Sequence, residues 1–241
     1  MTMTGYDHSD TAWGNVDAHI RKLILDGKAL RILEVGAGAN PLFPRDFVLQ
    51  HGLDYTLVDI SAAELAKAPD GYHKVVADIT STDLAGLAAY DFVFSRMLAE
   101  HVRSGEAFHR NIFKLLAPGG RAFHFFPTLY SVPFVVNLLL PERLSEKILQ
   151  FLQRGRENSG KHAKFPAYYS WCRGPTRSQI ARLESLGYSI DEYTGFFGNA
   201  GYYQRVPMLK ALNLRLANWL QANPIPQLTA FAFLTLKKPI R

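Results

Sequence analysis

The stretch that decides the fold runs Ile32-Leu33-Glu34-Val35-Gly36-Ala37-Gly38-Ala39-Asn40-Pro41. It completes an apolar run, residues 30–35, that stops at a glycine, as buried parallel strands commonly do. Glycines after such a strand let the backbone approach a ligand, and the start of the next helix presents free N–H groups. The stretch therefore predicts a nucleotide-binding loop at the carboxyl end of a strand.

Strands and helices alternate on both sides of this loop. The predicted strands are residues 30–35, 55–60, 74–77, 91–95, 121–126, 188–193 and 229–237. The predicted helices are residues 16–25, 41–50, 97–116, 177–186 and 207–221, with Asn40 capping the second and Ser61 capping a further short one. Residues 1–14 are expected to be irregular. The alternation predicts an α/β fold with a doubly wound parallel sheet.

The length suits a single domain over residues 1–241. We divide it into an N-terminal segment with a helix (1–29), a ligand-binding half (30–127), an insertion (128–175) and the rest of the sheet (176–241). The insertion has no strand pattern and is rich in proline and aromatic residues. An irregular segment of this length in a compact domain is usually functional, so we expect a lid or a pocket wall.

The composition of the chain limits the kinds of binding partner and the cellular compartment that we expect. The net charge of +6 comes from basic residues scattered along the chain, so we expect no nucleic-acid partner. A lone cysteine, Cys172, excludes an intramolecular disulfide and fits a reducing compartment. The first residues lack a signal-peptide pattern, and no apolar run reaches the roughly 18 residues that span a bilayer. We therefore expect a cytoplasmic protein.

Two further acidic residues follow strands downstream of the glycine loop. Asp59 ends the second predicted strand, 21 residues after Gly38, where a carboxylate can accept hydrogen bonds from ribose hydroxyls. Asp78 follows the third, where it can accept from an adenine amine. A nicotinamide-dependent oxidoreductase remains an alternative, although Pro41 stands where its Gly-x-Gly-x-x-Gly pattern has a third glycine.

With these residues the sequence resembles the class I S-adenosylmethionine-dependent methyltransferases. The matching segments, in order, are Glu34-Val35-Gly36-Ala37-Gly38, Val58-Asp59-Ile60-Ser61, Ala77-Asp78-Ile79-Thr80, Asp91-Phe92-Val93-Phe94-Ser95 with Leu98-Ala99-Glu100-His101-Val102, and Leu115-Leu116-Ala117-Pro118-Gly119-Gly120. The resemblance implies a Rossmann-like seven-stranded sheet of order 3-2-1-4-5-7-6 with the last strand antiparallel. It also implies S-adenosylmethionine as co-substrate and S-adenosylhomocysteine as product.

The resemblance and the pattern together give a set of candidate site residues. Those expected to bind the cofactor are Glu34, Gly36, Ala37, Gly38, Asp59, Ile60, Asp78, Ile79 and Ser95. Those expected around the substrate are Met97, His101, Tyr168, Tyr169 and Trp171. His101 is the candidate general base, with a local hydrogen bond as its alternative role. His124, between phenylalanines, is read as a core residue, and no metal site is predicted.

The leading hypothesis is a methyltransferase that acts on a small acceptor by in-line transfer. The apolar half of the insertion, residues 129–140, favours a hydrophobic or lipid-like acceptor and leaves peripheral membrane contact open. A protein that binds S-adenosylmethionine without catalysis is a further alternative. The aromatic run 165–171 either walls the pocket or packs the insertion onto the domain. The oligomeric state is left open.

Overall fold

The computed structural model describes residues 3–84, 86, 87, 89–129, 166–199, 203 and 206–240. Eight strands lie within them: β1 Met3–His8, β2 Arg31–Val35, β3 Asp54–Asp59, β4 His73–Val76, β5 Tyr90–Arg96, β6 Leu116–Pro127, β7 Ser189–Phe197 and β8 Phe231–Lys237. The described α-helices are α1 Ser9–Asp26, α2 Arg45–Gln50, α3 Ala62–Leu65, α4 Gly105–Leu115, α5 Arg177–Ser185 and α6 Pro207–Ala222. Short 3₁₀ turns cover Ala99–His101 and Pro226–Leu228.

All eight strands form one sheet of order β1-β7-β8-β6-β5-β2-β3-β4. Strand β8 is antiparallel to both of its neighbours, and the other pairings are parallel. The seven predicted strands therefore stand in the expected order 3-2-1-4-5-7-6, and the α/β methyltransferase fold is confirmed. The carboxyl ends of β2, β5 and β6 meet at one edge of the sheet, where the glycine loop leaves β2.

The N-terminal segment differs from its predicted irregular structure. Residues Met3–His8 add an eighth strand, parallel to β7, with Met3 opposite Glu192 and His8 opposite Phe197. Helix α1 follows at once from Ser9. The prediction failed because the strand is held by backbone hydrogen bonds to a segment nearly 200 residues away (Met3 to Glu192), which local sequence cannot report.

Two predicted helix starts are also wrong. Helix α2 begins after Pro44 rather than at Pro41, because a proline excludes the preceding residue, Phe43, from helical geometry. The predicted helix 97–116 is broken into a 3₁₀ turn and α4. Met97 takes a positive φ of 51°, and the Ser104 hydroxyl caps α4 by accepting from the Ala107 N–H at 3.1 Å. Strand β6 starts at Leu116, so the predicted turn at 118–120 lies inside it.

An aromatic core fixes the central strands that carry the site. Phe92, Phe94, Phe123 and Phe125 on β5 and β6 are all essentially buried. Helix α1 covers the sheet with a helically spaced apolar face that includes the predicted Val16, Ile20 and Ile24. Because such interiors pack as tightly as organic crystals, the strand ends present their side chains from a rigid base.

Candidate active site

The glycine loop adopts a backbone that side chains would disturb. Gly36 and Gly38 have φ angles of 75° and 50°, in the left-handed region that favours glycine. The Gly36 N–H donates to the Val58 carbonyl at 2.8 Å, which continues the β2–β3 pairing into the loop. A Cβ on Gly36 would lie 2.8 Å from Leu98 Cδ1. The loop is therefore shaped by its two glycines, as a site for close backbone approach requires.

Asp59 ends β3 directly beside this loop. One carboxylate oxygen accepts from the Gly38 N–H at 3.0 Å, and the other accepts from the Ser61 N–H at 2.9 Å. Each carboxylate oxygen has two lone pairs, so each retains capacity for one further donor. Ile60, predicted beside it, is exposed. The position and remaining capacity of Asp59 suit the paired hydroxyls of a ribose.

Glu34, the acid of the loop motif, is buried at the end of β2. It accepts hydrogen bonds from the Leu42 N–H at 3.0 Å and from the Tyr55 hydroxyl, and Arg96 Nη2 lies 3.2 Å from its other oxygen. Burial raises the pKa of the Glu34 carboxyl, and the hydrogen bonds from Tyr55 and Leu42 and the charge of Arg96 act in the opposite direction. Glu34 thus fastens the loop to the neighbouring strands.

A cavity of about 220 Å³ opens at this edge of the sheet. It is lined by Trp13, Val16, Glu34, Gly36, Ala37, Asn40, Arg96, Met97 and Phe125. Of the predicted site residues, Glu34, Gly36, Ala37 and Met97 therefore come together. The side of the cavity toward β6 is apolar, with the Trp13 ring packed edge-on to Phe125 at 4.9 Å between centroids. The cavity joins a polar loop to an aromatic wall.

Arg96 is a cavity residue that the sequence did not predict. Its Nη1 lies 3.2 Å from Asp17 and its Nη2 the same distance from Glu34. Its Nε is buried and has no hydrogen-bond partner among the described residues. The sequence did contain a sign of its role, because Arg96 is a single basic residue at the end of an apolar strand, at the ligand-binding edge of the sheet. A charged residue in such a position is a candidate for a functional site. Arg96 provides a cationic donor inside the cavity.

Other predicted cofactor residues lie outside the cavity lining. Asp78 Oδ1 accepts from the Thr80 N–H at 2.8 Å and from the Thr80 hydroxyl, which closes the turn after β4. Ile79 is buried there, and its carbonyl accepts from Asn111. Ser95 is fully buried, with its hydroxyl 2.8 Å from His124 Nδ1. Binding of the adenine by Asp78, and of the cofactor by Ile79 and Ser95, stays a prediction.

His101 and the aromatic run form a second cluster. His101 Nδ1 lies 3.1 Å from the Pro166 carbonyl oxygen, and the N–H groups of Tyr168 and Tyr169 both donate to the Glu100 carbonyl. Trp171 packs against Gly105, where an added Cβ would lie 2.6 Å from the Trp171 Cβ. This segment is therefore tied to the start of α4. Their roles at the substrate stay predictions, and the rest of the insertion, with Phe165 and His162, lies outside the described residues.

The buried histidines belong to the core, as predicted for His124. Its ring contacts Phe108 and His109, and burial holds its pKa well below the usual range. Burial lowers the pKa of His109 to about 3. Both rings are therefore neutral at physiological pH. Across the part of the chain that the structure describes, no three potential metal ligands come together.

Glu100 gives the cluster a pH-sensitive group. Its side chain is buried, and burial raises its pKa from about 4.5 to about 8. A carboxyl whose folded pKa is raised contributes stability below its unfolded pKa and loses it as the pH rises through the folded pKa. Relative to Glu100→Gln, the unfolding free energy of the wild type should fall by up to about 1 kcal/mol per pH unit in that window.

Urea unfolding from about pH 5 to about pH 9 measures this difference. Exposed Glu106, paired with Arg110 on α4, offers the matched control Glu106→Gln, for which the pH profile of the wild type should be retained. Parallel profiles for wild type and Glu100→Gln would show that the Glu100 carboxyl is ionised in the folded protein throughout.

The fold and this edge of the sheet define a class I, Rossmann-like methyltransferase. Comparison with known proteins agrees, since residues 14–190 match the profile of a methyltransferase domain family. The chain therefore belongs to this family of methyltransferase domains. The oxidoreductase alternative is thereby set aside.

The similar proteins are distant. Ribosomal RNA large subunit methyltransferase F of Dechloromonas aromatica is 23% identical over 177 residues, which cover 73% of this chain. The matched region is 47% of that relative, so the chain spans about half of its length. A methyltransferase of Archaeoglobus fulgidus has a TM-score of 0.55 at 17% identity, over 93% of this chain and 94% of its own.

Phosphoethanolamine N-methyltransferase 2 of Haemonchus contortus, solved with phosphomonomethylethanolamine and S-adenosylhomocysteine, has a TM-score of 0.54 at 16% identity. The likeness covers 93% of this chain and 53% of that one. At these identities the solved structures show the shared fold, and their acceptors belong to those proteins.

Proposed function

We propose that the chain transfers a methyl group to a small hydrophobic or lipid-like acceptor, by in-line displacement. The observation that carries the proposal is the apolar wall of the cavity, formed by Trp13, Met97 and Phe125 next to the glycine loop. Pockets with such walls recognise apolar ligand surface, and few polar groups then fix orientation. The bound donor supplies an electrophilic methyl carbon, and the protein supplies positioning and exclusion of water.

The donor would lie along the edge of the sheet from β3 to β5. The Asp59 carboxylate would accept from the ribose hydroxyls, and the backbone of Gly36 to Gly38 would allow close approach. Asp78 and Ile79 would face the adenine. The buried Nε of Arg96 would donate to the carboxylate of the methionine portion, since a cationic donor and an anion make a strong hydrogen bond.

His101 remains the candidate general base for an acceptor with a proton to lose. Because a carbonyl oxygen only accepts, Nδ1 of His101 must be the donor to Pro166. In the neutral ring that tautomer leaves Nε2 unprotonated, and this atom lies 3.6 Å from Glu100 Oε1. An unprotonated ring nitrogen is the form a base needs. His101→Asn should lower kcat at neutral pH and change the pH profile of kcat, whereas a purely structural role would lower stability without moving the profile.

Transfer of a labelled methyl group identifies the acceptor. The protein would be incubated with labelled S-adenosylmethionine and, separately, with a lipid extract, a polar metabolite extract and total RNA. We expect label in the lipid extract, and the variant Asp59→Ala serves as the control for donor-dependent transfer. Label confined to RNA or to polar metabolites would overturn the acceptor class and leave the methyltransferase assignment standing.

Trp13→Ala tests the apolar wall once an acceptor is in hand. Loss of an indole that is half exposed at the cavity mouth should raise the KM for the acceptor by about tenfold. The Kd for S-adenosylhomocysteine should change little. Trp13→Phe retains an aromatic surface and is the matched control. A shift in donor affinity alone would place Trp13 over the donor instead of the acceptor.

A further inference from the structure

Helix α6, Pro207–Ala222, presents an apolar stripe to solvent. Leu209, Leu212, Leu216 and Trp219 follow the spacing i, i+3, i+7 and i+10, which places them on one side of a helix. Leu212 is 62% exposed and Trp219 is 53% exposed. Contiguous exposed apolar residues often mark an interaction site, so the stripe is a candidate binding surface.

A different side of α6 attaches it to the protein. Ala217 and Leu220 are buried against Phe197 at the end of β7. The Asn213 side chain accepts from the Asn199 N–H at 2.8 Å. These residues take up the inward face of the helix, so the exposed stripe is separate from the contacts that fold the domain.

The charges of α6 are all basic. Lys210 and Arg215 lie on the helix, and residues 207–222 include no aspartate or glutamate. The acidic Asp7 of the neighbouring strand β1 accepts from the Gln221 side chain, near the end of the helix, at 3.2 Å. An apolar stripe with an aromatic residue, bordered by the basic Arg215, matches the chemistry of an interfacial helix on an anionic lipid surface.

The topology places α6 on the side of the active site. Strands β6 and β7 are both antiparallel to β8, so β7 points the same way as β6, β5 and β2. The chain therefore leaves β7 toward α6 at the edge of the sheet where the glycine loop leaves β2. A surface bound by α6 would therefore lie at the same edge of the sheet as the cavity.

We propose that α6 docks the protein on the surface of an anionic membrane. A second copy of the chain fits the stripe less well. In a symmetric antiparallel pairing of two α6 helices, the residue near the middle, Arg215, would approach its own copy, and like charges would repel. Within the described residues no helix is long and apolar enough to cross a bilayer.

Vesicle cosedimentation tests the proposal with the full chain. Vesicles of phosphatidylcholine mixed with phosphatidylglycerol should bind the protein, and vesicles of phosphatidylcholine alone should bind it weakly. The double variant Leu212→Asn/Leu216→Asn should lower binding by about tenfold or more, because two inserted side chains are lost. The matched control Leu30→Asn/Leu49→Asn changes two exposed leucines elsewhere and should bind as the wild type does.

A second pair of variants separates the charge from the apolar surface. Lys210→Gln/Arg215→Gln should reduce the preference for anionic vesicles by about tenfold. Trp219 fluorescence should shift to shorter wavelength on binding, and Trp219→Phe should remove that shift. Unchanged thermal melting and affinity for S-adenosylhomocysteine establish that each variant is folded.

The outcomes are distinct from those of the methyl-transfer assay, since no acceptor is needed. Full vesicle binding by the Leu212→Asn/Leu216→Asn variant would overturn the role of α6. Absence of binding by the wild type, together with a dimer in sedimentation velocity that the double variant abolishes, would assign the stripe to a second copy.

Discussion

Replacing Asp59 with alanine should weaken the binding of S-adenosylhomocysteine by about 1.5–3 kcal/mol, or roughly 10- to 150-fold. The loss has two parts. The ribose hydroxyls lose a charged acceptor, and the Gly38 N–H loses the carboxylate that holds the loop at 3.0 Å. Isothermal titration of the purified protein with S-adenosylhomocysteine measures the change.

The chain offers a matched control on the same strand. Asp54 begins β3 and Asp59 ends it, so Asp54→Ala removes an equal charge at the opposite edge of the sheet. It should leave the affinity unchanged. Asp59→Asn, which keeps an acceptor oxygen and loses the charge, should fall between wild type and Asp59→Ala. Equal losses for Asp54→Ala and Asp59→Ala would point to long-range charge effects and remove Asp59 from the ribose site.

The order of the sheet could be predicted because each strand carried a local pattern. The predicted strands 30–35, 55–60 and 74–77, with Glu34, Asp59 and Asp78 at or next to their ends, lie within one residue of the observed strands. The order then followed from the resemblance to a family whose topology is fixed. Strand β1 was missed because its identity as a strand comes from pairing with β7, a tertiary contact.

The residues of the glycine loop could be predicted from the sequence, whereas the residues that form the cavity walls were predicted less completely. Gly36, Ala37 and Met97 line the cavity as expected. They directly follow the carboxyl ends of β2 and β5, and the position of a strand end fixes the position of the residues next to it. Arg96 and Phe125 were missed, because a strand pattern does not tell which residues at its end turn toward a cavity. Ser95 illustrates the converse, since its hydroxyl turns into the core toward His124.

Because Glu34, the acid of the loop motif, is buried, we expect it to contribute to the stability of the fold as well as to the site. Glu34 is enclosed by β2, β3 and β5, and its partners Tyr55 and Arg96 come from the two neighbouring strands. Removing the Glu34 carboxylate leaves the Tyr55 hydroxyl and the Leu42 N–H without their acceptor and takes from Arg96 one of its two carboxylate partners. The loss of several such contacts at a buried carboxylate costs about 3–5 kcal/mol. Glu34→Ala should therefore lower the unfolding free energy by about that amount, measured by urea denaturation.

Glu106→Ala is the matched control, because it also removes a glutamate paired with an arginine, but at an exposed position. Its partner is also an arginine, Arg110, yet both side chains are more than half exposed. Water screens such a pair, so its loss should cost less than about 1 kcal/mol. Glu34→Gln keeps an acceptor for Tyr55 and the Leu42 N–H, so it should retain more stability than Glu34→Ala and permit a titration with S-adenosylhomocysteine. If Glu34→Ala and Glu106→Ala destabilise equally, Glu34 does not join the three strands, and the loop must be held by its backbone hydrogen bonds to Val58.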